Sequence, residues 1–452
     1  MNGLLSVLVD ILSEPAILVA LIALIGLIAQ RKSLSDTMKG TTKTFVGFLV
    51  IAAGAGILET ALAPFGEMFQ DAFNVSGVVP NNEAIVALAL NEYGTNTALI
   101  MFFGMIVNVL IARFTRYKYI FLTGHHTLYL ACMFAVIMAV AGFNTVPLIA
   151  AGSVALGIVM TLSPAILQPF MRELTGNDNV ALGHFSAVGY AISGLIGKLF
   201  KKDKENSTEN INFPKGLGFL RDSTVSIALT MVVMYFIVAI VSGPTFIESE
   251  LSDGTNYLVF SLIKGGSFAA GVFIILSGVR LVLAEIVPAF KGISTKLVPN
   301  AKPALDVPII YTYAPNAVLM GFFSSFIGGI VSMIIMFITG STIILPGVVP
   351  HFFTGAAAGV LGNATGGFKG AIAGSFVNGI IVSFLPVFLL PVLGDLGFAN
   401  TTFSDADFGV SGIFFGSLAN YAGPLAIVIS LVVILVLMVI PFGKKKVGTK
   451  EK

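Results

Sequence analysis

From Ser411 to Ile440 the chain runs for thirty residues without one charged side chain. Crossing the hydrocarbon core of a bilayer takes about 20 apolar residues, so a run of this length has few places to go except into lipid. Apolar runs of similar character recur at Pro15–Gln30, Thr44–Pro64, Thr95–Arg113, Val146–Phe170, Ser223–Val241, Val259–Ser277, Ala314–Thr339 and Gly370–Leu390. Their apolar residues come in blocks rather than in strict alternation, which selects helices over a barrel. The chain is 56% hydrophobic and 11% charged, whereas a soluble domain is about a quarter charged. The expected fold is all-α: a polytopic membrane protein with room for about eleven transmembrane helices at this span length.

Charge placement orients these spans. Arg31, Lys32, Lys39 and Lys43 follow the first run, and no Lys or Arg occurs again before Arg113. Arg113, Arg116 and Lys118 mark the next basic edge, and the tail at 441–452 is basic. The segment 199–221, rich in Lys and polar residues, reads as a cytoplasmic loop between two halves. By the positive-inside rule, the amino terminus is expected outside and the carboxyl terminus in the cytoplasm. The first run lacks a basic leader and is read as a retained span. Glu248, Glu250 and Asp253, and later Asp395, Asp405 and Asp407, are then expected in outer loops.

Pro and Gly interrupt the helical pattern at two places. Ser76–Glu83 reads as a hairpin tip, followed by a helix over Ala84–Leu90 and a separate span from Thr95. Leu345–His351 reads as a second tip, followed by a turn at Gly362–Lys369. Both tips carry Gly-Val-Val-Pro, at Gly77–Pro80 and Gly347–Pro350. Paired interruptions in two halves are the pattern of re-entrant hairpins in an inverted repeat, with a solute site at mid-membrane. In the second half, Gly278–Phe322 carries Arg280, Glu285, Lys291, Lys296, Lys302, Asp306 and Asn316. The apolar residues of Arg280–Val298 recur at helical spacing, so a surface-lying amphipathic helix broken near Pro288 is expected, leading into a polar site.

Few residues can carry chemistry in such a chain. His125, His126, His184 and His351 stand at the edges of expected helix breaks. A neutral imidazole offers one donor and one acceptor, which suits a polyhydroxyl solute; a histidine satisfied by backbone at the interface is the plainer reading for His126 and His351. Asp306, between Pro303 and Pro308, reads either as a helix cap or as an acceptor for solute hydroxyls and a proton acceptor. Glu83 at the first tip is open to the same two readings. Cys132, the single cysteine, reads as apolar filler. Gly362–Lys369 lacks the Gly-Lys-Ser/Thr end of a phosphate-binding loop. No metal motif, cofactor motif or nucleic-acid patch is present, so no metal, cofactor or nucleic acid is expected.

Leu122-Thr123-Gly124-His125, Gly183-His184, Gly278-Val279-Arg280 and the run from Lys291-Gly292-Ile293-Ser294 through Asp306 to Tyr313-Ala314-Pro315-Asn316-Ala317-Val318 carry a resemblance. They resemble the ascorbate-type IIC membrane subunits of the bacterial phosphoenolpyruvate-dependent sugar phosphotransferase system, over essentially the whole chain, 1–452. The resemblance implies a homodimer of eleven-span subunits in the cell membrane, each with interleaved core and dimerisation parts. The core carries ascorbate, or a related sugar, by an elevator-type movement. A separate IIB protein then phosphorylates it on the cytoplasmic side, and a IIA protein recharges IIB. The chain would be a permease and not an enzyme on its own.

The same resemblance places substrate contacts on Asn82, Glu83, His125, His126, Tyr129, His184, Phe185 and Asp306. Relatives carry glutamine where Tyr129 and Phe185 stand here, so two amides are exchanged for aromatic rings. The residues leave one further reading open: a proton-coupled secondary transporter of a small polyhydroxyl solute, with Glu83 or Asp306 as its proton site.

Overall fold

A computed structural model describes residues 11, 15–73, 78–80, 82–200, 206–211, 223–398 and 401–440. The chain is mostly helical. In order it forms α1 (Pro15–Ala29), α2 (Leu34–Phe73), β1 (Val79–Pro80), α3 (Asn82–Phe114), β2 (Tyr119–Phe121), α4 (Gly124–Val140), α5 (Thr145–Thr175), β3 (Ala181–Leu182) and α6 (Ala187–Gly197). After these come α7 (Ser223–Ser242), α8 (Tyr257–Lys296), β4 (Lys302–Leu305), α9 (Pro308–Tyr311), α10 (Pro315–Thr339), α11 (Val348–Leu389), β5 (Thr401–Thr402) and α12 (Ala406–Val439). Helices α1, α2, α7 and α8 pack on one another; α3, α4 and α5 form a second group, and α6, α10 and α11 a third. Their apolar faces meet in separate cores, one around Phe134, Phe185 and Phe408, another around Tyr235, Phe268 and Phe352.

Among the described residues, five helices are long and apolar enough to cross a membrane, or six if the bent pair Met231–Ser242 and Pro244–Leu251 is one span. The chain is thus a multi-pass membrane protein. The longest of these helices is itself two arms. At Gly367 the backbone reaches φ 62°, ψ −154°, a region open essentially to glycine alone. Ser375 Oγ then donates to Gly355 O (3.1 Å) and Asn378 Nδ2 to Thr354 Oγ1 (3.0 Å). Those pairings run antiparallel, so α11 folds back on itself with its tip at the turn expected over Gly362–Lys369.

Several helices depart from the expected boundaries. One helix, α3, covers both the short helix and the span expected after the first tip. Likewise α8 runs as helix through Pro288, in place of a span followed by a separate surface helix; the side chains of 282–296 lie outside the described residues. The last run is broken at Gly423 (φ 73°, ψ 178°), next to Pro424, where an uninterrupted span was expected. Of the expected loop 199–221, residues 201–205 and 212–221 lie outside the described residues, as does the tail 441–452. The described part is docked rather than free. Thr208 N donates to Asn363 Oδ1 (2.9 Å), and Glu209 Oε1 accepts from Asn316 N (2.9 Å) and Ala317 N (3.2 Å). The Glu209 carboxylate therefore satisfies the open N–H groups at the start of α10.

Among the described residues, five very short strands amend the all-α expectation. Strand β1 pairs with β5, and β4 lies between β2 and β3; every pairing is parallel. They stand where helices are interrupted, and the ladder gives the broken backbone its hydrogen-bond partners, as a lipid surrounding requires. Leu122 N donates to Ala304 O (3.0 Å) and Gly183 N to Leu305 O (2.7 Å). A Cβ on Gly183 would stand 2.6 Å from Ala304 O, so β3 can approach β4 only with glycine there. At the start of β4, Lys302 Nζ pairs with Asp178, which also accepts from Arg172 Nε (2.7 Å) and Gln168 Nε2 (2.7 Å). On the other side Val78 bridges to Ile344, and Pro80 O lies against Gly347 at the start of the second Gly-Val-Val-Pro segment.

Two tests follow from this scaffold. The single cysteine, Cys132, is fully buried, so a thiol-reactive dye reports unfolding directly. Gly183→Ala is expected to lose about 1–3 kcal/mol through overpacking against β4, read as a lower melting temperature in that assay. Asp178 behaves differently. Partial desolvation would raise its pKa, but hydrogen bonds from Arg172, Lys302 and Gln168 outweigh that and hold it at about 2, down from 3.8. A depressed carboxylate stabilises the fold above its unfolded pKa and ceases to do so as pH falls through the folded value. Asp178→Asn is therefore expected to lower the melting temperature at neutral pH, by an amount that shrinks between pH 3.8 and about 2.

Candidate functional site

Each short strand delivers a polar residue where it ends. After β2 come Thr123 and the first turn of α4, with His125 and His126; after β3 comes His184; after β4, Asp306. Because β2, β4 and β3 are parallel, these residues leave the sheet on the same side. Strand β1 leads to Asn82 and β5 to Ser404 and Asp405. Asn108 fixes β2, donating to Tyr119 O (3.2 Å) and accepting from Phe121 N (3.0 Å). Thr123 Oγ1 ties the start of α4 to Gly183 O.

The pieces then meet. His125 Nε2 lies 3.6 Å from Asp306 Oδ2, while Asp306 Oδ1 accepts from Val307 N (2.7 Å). Asn82 Nδ2 donates to Asp405 Oδ2 (3.3 Å), and Asn82 Oδ1 accepts from Ser404 N (3.0 Å). His126 Nδ1 lies 3.7 Å from the same Asp405 Oδ2. Tyr190 Oη and His184 Nδ1 share a hydrogen bond of 2.9 Å, and the rings of His126 and His184 are 3.9 Å apart. Phe185 stacks on Phe121 at 4.4 Å, and His126 lies parallel to Phe408 at 6.0 Å.

Burial divides the expected site residues into two layers. Asn82, His125, Tyr129 and Asp306 are half-buried and form a rim. His126, His184 and Phe185 are buried beneath it. Glu83 occupies the first turn of α3, but its side chain lies outside the described residues. His351 stays away from the cluster: its Nδ1 shares a hydrogen bond of 2.9 Å with Ser325 Oγ, joining α10 to α11. The rim offers imidazole, carboxylate, amide and phenol groups, a set of donors and acceptors suited to hydroxyl groups.

Two residues expected in an outer loop belong here. Asp405 and Asp407 are 4% and 5% exposed. The pairing of Thr401–Thr402 with β1 draws the following turn inward. Asp407 Oδ1 accepts from Val188 N (2.9 Å), its Oδ2 accepts from Ser163 Oγ (2.9 Å), and its N donates to Phe185 O (2.8 Å). This carboxylate thereby joins the starts of α6 and α12 to α5. A signal existed: Thr401-Thr402-Phe403 is a short β-prone run just before a helix, like Tyr119-Ile120-Phe121 before His125. Removing this acceptor leaves buried donors unpaired, and hydrogen bonds to a charged group contribute about 1.5–3 kcal/mol each. Asp407→Ala is accordingly expected to cost at least about 2 kcal/mol, and Ser163→Ala less, in the Cys132 unfolding assay.

The family described as PTS system sugar-specific permease component (EIIC-GAT) matches residues 10–407. A curated relative from Mycoplasma pneumoniae, named as an ascorbate-specific PTS system EIIC component, is 28% identical over 432 residues, covering 83% of this chain. The chain spans 65% of that relative's own length. With a match over most of its length, the chain belongs to the family of sugar-specific permease components of the phosphotransferase system.

Proposed function

We propose that this chain is the IIC permease for ascorbate or a related sugar acid or sugar, working with separate IIB and IIA proteins. One observation carries the reading: within a chain of this family, the ends of parallel strands bring His125, Asp306, Asn82 and Tyr129 to one half-buried rim. Solute hydroxyls bind there, with Asp306 as hydroxyl acceptor and recipient of the proton lost on phosphorylation; Glu83 contributes from the start of α3. His126, His184 and Phe185 complete the site from below. Tyr129 and Phe185 narrow the choice of solute, since aromatic rings take the place of two amides.

In this reading the protein is a homodimer in the bacterial inner membrane. Its eleven spans form core and dimerisation parts, with the amino terminus outside and the carboxyl terminus in the cytoplasm. The meeting of the two Gly-Val-Val-Pro segments supports an inverted repeat. The packing of α1, α2, α7 and α8 mainly on one another supports an elevator in which the site-bearing part moves. Phosphorylation by IIB on the inner face makes uptake one-way, because the charged product does not return.

The test is solute phosphorylation by membranes holding this protein, supplied with phosphoenolpyruvate and the matching IIA and IIB proteins, across a panel of sugars and sugar acids. Ascorbate or a close relative is expected to be phosphorylated. His125→Ala and Asp306→Asn are each expected to lower the rate at least about tenfold, the loss of about 1.4 kcal/mol of binding. Uptake driven by a proton gradient without a phosphoryl donor would replace this reading with the proton-coupled one.

A further inference from the structure

The corner between α1 and α2, apart from the residues of the solute site, carries a cluster of cations beside an exposed apolar face. We propose that this corner binds an anionic membrane phospholipid, with its phosphate on the cations and its acyl chains on the apolar face. The stretch from Arg31 to Lys43 holds Arg31, Lys32, Lys39 and Lys43 against one carboxylate, Asp36. Asp36 is turned to its own helix start: its Oδ2 accepts from Ser33 Oγ (2.8 Å), and its N donates to the same oxygen (3.1 Å). Among the described residues, no ion pair joins Arg31, Lys32 or Lys39 to a carboxylate. Clustered cations directly after a span are the pattern that attracts anionic headgroups.

Three observations point to a lipid rather than to a free anion or a soluble acidic protein. The first is level. Helix α2 has 40 residues, about 60 Å of helix at about 1.5 Å per residue, whereas the hydrocarbon core is about 30 Å thick. Its uncharged stretch begins only at Thr44, so the turns from Leu34 to Lys43 emerge among the headgroups. The second is the exposed face. Leu34 is 80% and Met38 57% exposed, and Val46 and Leu49 continue the stripe into the span. At about 100° per residue these four fall within an arc of about 120°, with Lys39 and Lys43 beside it. An occupant of that corner must therefore be apolar along its length and anionic at one end. The third is the backbone. Arg31 N donates to Ile28 O (2.9 Å) and Lys32 N to Leu27 O (3.2 Å), which closes α1 in the turn that usually calls for glycine. Arg31 holds that position at φ 58°, a strained conformation for a side-chain-bearing residue. The strain is offset by what the side chain does, and a guanidinium is the group best shaped to grip phosphate oxygens in pairs.

The experiment uses the full-length protein, stripped of co-purified lipid and placed in nanodiscs of phosphatidylcholine with rising fractions of phosphatidylglycerol. Melting is read by dye access to Cys132, which also shows that each variant is folded. Phosphatidylglycerol is expected to raise the melting temperature saturably. Salt at about 1 M, where the screening length falls to about 3 Å, should remove most of that rise. Arg31→Gln and Lys39→Gln are each expected to raise the half-saturating fraction about fivefold, the worth of one cation at a lipid surface. Arg31→Gly separates the two roles of the position. With the turn relieved, it should melt no lower than the parent in pure phosphatidylcholine, yet need the same about fivefold more phosphatidylglycerol. Arg113→Gln, at a different basic edge, should leave the half-saturating fraction within about twofold of the parent, less than the loss of one lipid-facing cation. Absence of a phosphatidylglycerol effect, or Gln variants that saturate as the parent does, would overturn the proposal. An equal rise with inorganic phosphate in detergent alone would reduce the corner to a free-anion site and overturn it too. So would a halved particle mass for Arg31→Gln, which would put a second copy of the chain there. No solute or phosphoryl donor enters these measurements, so their outcome is independent of the transport reading.

Discussion

A backbone surrounded by lipid has no water to turn to, so wherever a helix is interrupted its freed N–H and C=O groups must find partners within the protein. This chain meets that constraint with ladders two to four residues long. They occur before Asn82, before His125, before His184, before Asp306 and before Asp405. The interruptions and the polar residues therefore come as one unit. A strand end frees the chain from the helical repeat, the ladder satisfies the backbone, and the next residue projects among the others. Parallel pairing gives the sheet a single exit side, which is why residues from distant segments converge.

The contacts around the ladders hold this arrangement in place. Asn108 and Thr123 fix β2, the Asp178 cluster holds β4, and Asp407 binds the starts of two helices to α5. Each is a polar group used to satisfy a backbone break or a buried neighbour. The fold-back at Gly367 and the docked segment at Thr208–Glu209 act in the same manner at the other end of α10 and α11. Aromatic packing does the rest: Phe121 stacks on Phe185, and Phe185 and Phe408 pack against His126.

The order of polarity through the site follows from this enclosure. Groups on the rim are half-exposed and can exchange partners with a solute at little cost. Those below are desolvated, so each must be matched by a fixed partner. Tyr190 on His184 and Asn82 on Asp405 supply such matches, while His126 Nδ1 stands without one.

The amino-acid order alone settled the helical membrane character, most of the apolar segments and the turn near Gly367, because hydropathy and Gly/Pro placement act over neighbouring residues; it singled out His125, His184 and Asp306 as candidates. Tertiary structure decided what depends on residues far apart. The strand pairings were not legible: short β-prone runs such as Thr401-Thr402-Phe403 hint at strands, but a two-residue pairing such as Val79–Pro80 with Thr401–Thr402 has no period to reveal its partner. Asp405 and Asp407 looked like an acidic outer loop until that pairing drew them inside. The continuity of α3 and α8 was likewise hidden, because packing carried helix through residues that locally favour a break. Burial of a charge is fixed by what surrounds it, and here that surrounding comes from segments more than two hundred residues away.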